Sequence, residues 1–266
     1  MVIDVHAHIF PATLAQRASQ NIGAFYDLHM GYDGTVDTLL RCGKLYGIER
    51  FVVHSAATTP EQVYNINTFI ATEVKSHPAQ LIGFGTLHPE SPTLEKDLQY
   101  CKKLGLHGIK LHPDFQKFHL DSAPAMELFA RLEGQFPVLV HTGDRRSQYS
   151  KASRLAKVAE TFPRLDIIAA HFGGFSEWEN GALALAQSGV YVDTSSSQFA
   201  LRPHQVRELI DIYGPRKVLF GTDYPMWNGR EELEGLEKIP MADWEREAIY
   251  HQNLEELLER YDPQRR

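Results

Sequence analysis

Eight short apolar runs, rich in β-branched residues, punctuate the chain at 2–5, 51–53, 81–85, 108–111, 138–140, 166–170, 190–193 and 218–220. Each is followed by a polar or glycine-rich segment, as expected of buried parallel strands. Amphipathic stretches lie between them. "TVDTLLRCGKLYG" sets Val36, Leu39, Leu40 and Leu45 on one side and ends on Gly47, a C-cap residue. "SPTLEKDLQYCKKLG" offers Ser91 as N-cap, Pro92 at the first helical position and Glu95 one turn on. The final stretch, "WEREAIYHQNLEELLERY", carries Ile249, Leu254, Leu257 and Leu258 at helical spacing. Strict alternation of strand and helix demands a parallel sheet. Eight units in 266 residues match a (β/α)8 TIM barrel, read as one α/β domain over 1–266. A doubly wound open sheet is the alternative, but no GxGxxG follows the first strand. The longest stretches read as non-helical, about 11–34 and 223–240, both follow strands and so fall on the active-site face.

The remaining bulk properties exclude more than they assert. The formal net charge is -7 and no Lys/Arg stripe offsets it, which argues against a nucleic-acid binder. Cys42 and Cys101 lie far apart and form neither a CxxC nor a disulfide framework, so a reducing, cytoplasmic setting is expected. Met1 runs straight into the first strand, and no signal peptide is expected. No apolar stretch approaches the ~20 residues that span a bilayer, so no membrane association is expected. A homo-oligomer is left open.

The histidines are not spread evenly. His6, His8, His54, His88, His112, His141 and His171 all stand at or just past the C-terminal end of an expected strand. Barrel enzymes assemble their sites at that rim. On a strand, residues i and i+2 share a face, so His6 and His8 converge. Alone, such a pair reads better as two hydrogen-bonded polar residues at a strand end. However, His141 follows "PVLV", His171 follows "DIIAA" and Asp223 follows "VLF", each on its own strand. Several imidazoles and a carboxylate buried together without a partner would be costly, and a bound cation removes that cost.

In "IDVHAHIF", "GIKLHPDF", "VLVHTGD", "IIAAHFGG", "VLFGTDYP" and the closing "IYHQNLEELL", the chain resembles the amidohydrolase superfamily, specifically its amidohydrolase-2 branch with the aminocarboxymuconate-semialdehyde decarboxylase-like enzymes. The resemblance runs nearly the whole length, in order. It implies that His6, His8, His141 and Asp223 ligate one divalent metal, usually Zn2+. It also implies that His171 is the catalytic histidine, with Asp223 additionally accepting a proton. Another divalent metal would also serve.

A metal of this kind can hold a water whose pKa falls toward ~7. With Asp223 moving the proton and His171 polarising a carbonyl, hydrolysis of an amide, ester or lactone in a small, carboxylated substrate follows. The branch equally allows decarboxylation of a small unsaturated or aromatic acid. Hydrolysis is the leading expectation because it is the wider superfamily activity. A worn-down, non-enzymatic barrel would have lost ligands, and here every position of the pattern is filled.

Lys110 shares a strand face with His112. As in some relatives, a carboxylated Lys110 could bridge a second metal; otherwise it binds a substrate anion as a point charge, or pairs with a carboxylate such as Asp4. One metal is expected. Arg145 and Arg146 could grip a substrate carboxylate. Tyr224, Met226 and Trp227 could wall the pocket. "DTSSSQF", from Asp193, could offer hydroxyls to substrate, although a capped turn explains it as well.

Overall fold

The computed structural model describes residues 1–261. Its strands are β1 (Ile3–His8), β2 (Arg50–His54), β3 (Leu81–Thr86), β4 (Gly108–Leu111), β5 (Val138–Val140), β6 (Ile167–Ala169), β7 (Tyr191–Asp193) and β8 (Val218–Leu219). They pair in sequence order and all in parallel. Hydrogen bonds from Val5 N to Phe220 O (2.9 Å) and His8 N to Tyr224 O (2.7 Å) draw the last strand back to the first. The result is the expected TIM barrel.

Side-chain alternation sorts the core into two layers. Val52, Ile82, Phe84, Leu139, Ile168 and Leu219 fill the barrel, with Leu254 and Leu257 of the last helix packed against them. Val53, Ile109, Leu111, Val138, Val140 and Val192 face the surrounding helices. No helix among the described residues is long and apolar enough to cross a membrane.

β1 departs from the expected 2–5 run by extending through His8, and its pairing with β2 shifts register between Asp4 and Ala7. Such a bulge re-aims the side chains that follow it. Ile3 and Val5 belong to the inner layer, while Ala7 and Ile9 belong to the outer one. Asp4 therefore does not share a face with His6 and does not pair with Lys110. It accepts from Thr222 N (3.0 Å) and Thr222 Oγ1 (2.6 Å), and burial raises its pKa to about 7.

Helix boundaries follow local chemistry. Thr35 caps Val36–Tyr46 by accepting from Thr38 N, and Gly47 closes it at φ 79°. The helix expected from Ser91 starts later, at Leu94, without a side-chain cap, and Ser91 Oγ donates to Asp97 Oδ2 (2.5 Å) instead of capping. The final helix is interrupted by a π turn at Ala248–Gln252, where Ile249 O accepts from Phe220 N (3.0 Å). The two stretches expected to be non-helical each contain a helix, Ala12–Tyr26 and Gly229–Glu237. Neither buries an apolar stripe: the first buries only Ala15, Ser19 and Gly23, the second only Glu232 and Leu236.

Candidate metal centre

Three ring and carboxylate atoms from opposite ends of the sequence form a nearly equilateral triangle. His6 Nε2 and His8 Nε2 are 3.3 Å apart, and Asp223 Oδ1 lies 3.4 Å from the first and 3.5 Å from the second. Donor atoms ~2.0–2.1 Å from a tetrahedral ion stand about 3.3–3.4 Å from one another, so the triangle has the dimensions of one face of such a site. All three residues are buried.

The second nitrogen of His6 fixes its orientation. Asp193 Oδ2 is 2.8 Å from His6 Nδ1, which places the proton there and leaves the Nε2 lone pair facing the triangle. Burial, reinforced by Lys110, holds the His6 pKa well below the usual value, and burial does the same for His8. Both rings are thus neutral and free to ligate. Lys110 Nζ sits 2.9 Å from His6 Nε2, and Asp223 and Asp193 draw its pKa upward against the burial that lowers it to about 8. Among the described residues, the one cationic side chain at the centre therefore already points at the lone pair that an ion would use. His54, fully buried against both rings (centroids 5.0 and 4.5 Å), has no hydrogen-bond partner on either nitrogen. Orphaned imidazole at that depth is expensive without an ion or water nearby. Neutral donors, an oriented carboxylate and an orphaned imidazole together fit a divalent cation.

The hydroxyls of the "DTSSS" stretch orient these groups from behind. Asp193 Oδ1 accepts from His171 N (3.0 Å), Ser195 N (3.1 Å) and Ser195 Oγ (2.5 Å). Ser195 Oγ lies 3.1 Å from His6 Nδ1 and 2.9 Å from His171 Nδ1. Ser196 Oγ donates to Asp223 Oδ2 (2.5 Å) and accepts from Trp227 Nε1 (2.7 Å). Asp193 went unassigned in the sequence although it obeys the same strand-end rule as the histidines. The backbone is strained where these side chains emerge: His171, Asp223 and Ser196 have φ of 60°, 61° and 48°. Non-glycine residues hold such values only when their surroundings impose them. Gly143 of "HTGD" is glycine for a related reason: at φ 89°, a Cβ there would lie 2.5 Å from Phe175 N.

His141 faces the same chamber but stands apart from the triangle. Its Nδ1 is 3.0 Å from His171 Nε2, and its Nε2 lies 3.3 Å from Asp114 Oδ2 without the alignment of a hydrogen bond. Asp114 itself is held by the Ser147 and Ser150 hydroxyls. His112 stacks on His141 (4.0 Å, 7°), and its Nε2 meets Tyr26 OH at 3.1 Å. Burial keeps His112 and His171 neutral.

Two sequence candidates lie elsewhere. Arg145 is exposed, with its backbone N–H on Ser176 Oγ, and it lines neither the chamber nor the cleft beside it. Trp227 stacks on Phe199 (4.6 Å) and reaches the centre only through Ser196. Of the residues expected to wall the pocket, Met226 lines the chamber, joined by Pro225, Tyr26 and Ile22.

The chamber bounded by His8, His112, His141, His171 and Asp223 has a volume of only about 20 Å³. A cleft of about 920 Å³ adjoins it, lined by Phe10, Ala18, Phe25, His88 and Lys117 among others; His8, Ile22 and Phe115 border both.

The sequence model of the amidohydrolase family matches residues 3–260. Among solved structures, an uncharacterised TIM-barrel protein from Bordetella bronchiseptica superposes with a TM-score of 0.80 at 20% identity, covering 98% of this chain and 99% of that one. A dihydroxybenzoic acid decarboxylase from Polaromonas, with bound manganese and the inhibitor 2-nitroresorcinol, gives 0.74 at 17% identity over 99% and 98%. A 5-carboxyvanillate decarboxylase from Sphingomonas paucimobilis gives 0.74 at 14% over 97% and 98%. At these identities the likeness is one of fold.

Proposed function

The chain belongs to the amidohydrolase family, and on that footing we propose that it is a metal-dependent decarboxylase of a small aromatic or unsaturated carboxylic acid. The observation that carries the metal half is the His6–His8–Asp223 triangle with its oriented donors. The reaction half is supported by the fold neighbours with stated activities, which release carbon dioxide from dihydroxybenzoic acid and from 5-carboxyvanillate. Hydrolysis, first on sequence grounds, gives way to that reading. Fold alone does not assign chemistry, so the site must carry it.

His6, His8 and Asp223 would hold one ion, with His141 as a fourth ligand from across the chamber. The N/O donor set suits zinc, and the manganese of the Polaromonas neighbour makes that metal the first alternative. When bound, the ion supplies positive charge to the substrate carboxylate and an adjacent hydroxyl. His171 would be the proton carrier. Ser195 O, 3.2 Å from its Nδ1, accepts that nitrogen's proton, so the lone pair lies on Nε2, which meets His141 Nδ1 at 3.0 Å on the chamber side. The imidazole would take a proton at Nε2, becoming imidazolium, and release it to the carbon that loses its carboxyl group, which returns the ring to neutral. Asp223 keeps Oδ2 on Ser196 and Oδ1 toward the histidines, and burial raises its pKa, so it can share that proton. Phe115, Ile22 and Met226 exclude bulk water. Lys110 stays uncarboxylated in this scheme, a second positive charge beside the substrate anion.

The test pairs elemental analysis with product detection. Purified protein is offered dihydroxybenzoates and 5-carboxyvanillate beside a panel of lactones, esters and amides. Carbon dioxide release, lost on chelation and regained with zinc or manganese, is the expected result. Hydrolysis of panel members with no carbon dioxide released overturns the reaction. Metal below ~0.2 per chain, with none regained on adding zinc, overturns the site.

A further inference from the structure

The chamber of about 20 Å³ has room for roughly one water, far less than any carboxylic acid the centre would act on. His8 borders the cleft, but Asp223, His141 and His171 line only the chamber, so substrate can reach those groups only if the partition between chamber and cleft moves. Ile22 and Phe115 stand in that partition, and the helix Ala12–Tyr26 carries Ile22 together with Tyr26. This helix is poorly rooted. It buries only Ala15, Ser19 and Gly23, and no side chain caps its start at Pro11. The barrel helix Pro203–Tyr213, by contrast, buries Val206, Leu209, Ile210 and Tyr213.

The C-terminal end of Ala12–Tyr26 is held by ring packing, Phe25 on Phe115 (4.8 Å) and Tyr26 on Phe175 (5.2 Å), and by a concentrated set of polar contacts. Tyr26 OH meets His112 Nε2 at 3.1 Å. Arg146 Nη1 donates to Phe25 O (2.9 Å), one of the last-turn carbonyls that a helix cannot satisfy internally. The same guanidinium lies 5.1 Å from the centroids of both Phe25 and Tyr26, and Asp144 clamps it through Nε (3.0 Å) and Nη2 (2.7 Å). We propose that helix Ala12–Tyr26 is a hinged lid over the candidate metal centre, latched by Arg146 and by the Tyr26–His112 hydrogen bond, and that opening it joins chamber and cleft into one substrate site. Closure returns the Tyr26 hydroxyl to the chamber wall beside the reacting groups. This goes beyond the proposed reaction and rests on it only in taking the triangle as the reacting end.

A test that needs neither metal nor turnover keeps the two apart. Met226 lines the chamber and is 5% exposed; Cys101 is fully buried in a barrel helix. In a Cys42→Ala/Met226→Cys protein kept in chelator, iodoacetamide labelling of position 226 reports lid opening, while Cys101 reports global unfolding. Labelling at 226 should exceed that at Cys101 by at least about 100-fold. Arg146→Ala should raise it a further 10-fold or more with Cys101 unchanged, and the milder Tyr26→Phe should raise it severalfold if Arg146→Ala fails to fold. Equal rates at both cysteines, or a rate at 226 unmoved by either substitution, overturns the lid.

Discussion

Asp193→Asn isolates the group that orients His6. The substitution preserves shape. Its amide oxygen can still accept from His171 N and Ser195, at 3.0 and 3.1 Å in the native site. The amide nitrogen then replaces Oδ2, 2.8 Å from His6 Nδ1, and two N–H donors face each other. The imidazole relieves this by moving its proton to Nε2, the nitrogen in the triangle, where it abolishes the lone pair that an ion needs. Loss of the orienting partner of a metal-bound histidine typically costs 10–100-fold in affinity. That corresponds to about 1.4–2.7 kcal/mol. Exchanging a charge-assisted hydrogen bond for a neutral one should also lower stability by about 1–2 kcal/mol. The assay is competition for zinc against a chelating dye at pH 7, with thermal unfolding of the metal-free proteins alongside. Zinc affinity within about threefold of the native protein, with the fold intact, would refute the tautomer argument and with it His6 Nε2 as a ligand.

Further outcomes follow from the same contacts. Asp223→Ala opens the triangle and should lower bound metal to below ~0.2 per chain with turnover down at least ~1,000-fold, read by elemental analysis and initial rates. Ser196→Ala releases Asp223 Oδ2 and Trp227 Nε1 together; kcat should fall about 10-fold with KM little changed, as expected for a positioning contact. Leu139→Ala, in the filled barrel interior, should cost about 2–5 kcal/mol in denaturant unfolding without altering metal stoichiometry. Glu232 is buried, and that burial raises its pKa to about 8. The folded state therefore binds more protons than the unfolded one between its ordinary carboxylate pKa and pH 8, so stability falls as pH rises through that window. Glu232→Gln should remove this slope, gaining on the order of 3 kcal/mol over the native protein at pH 8 relative to pH 5 by chemical denaturation.

The strands were legible because burial on both faces demands unbroken apolar runs, a local signal; β4 and β5 begin and end where the runs do. The candidate-site residues were legible because barrel geometry delivers every strand end to one rim, so His6, His8, His141, His171 and Asp223 could be gathered without coordinates. The helix Ala12–Tyr26 was not, since it buries only the small residues Ala15, Ser19 and Gly23 while the large apolar residues Leu14 and Phe25 stay exposed. Only the folded chain could decide the rest. The bulge in β1 depends on its pairing with β2, and Asp4, just before it, bonds Thr222 of the last strand's loop rather than Lys110. The role of Asp193 depends on a contact across 187 residues, which no local pattern encodes. Residue type and strand position set which groups reach the rim; hydrogen bonds between distant strands set which way each one points, and a metal site is made of directions.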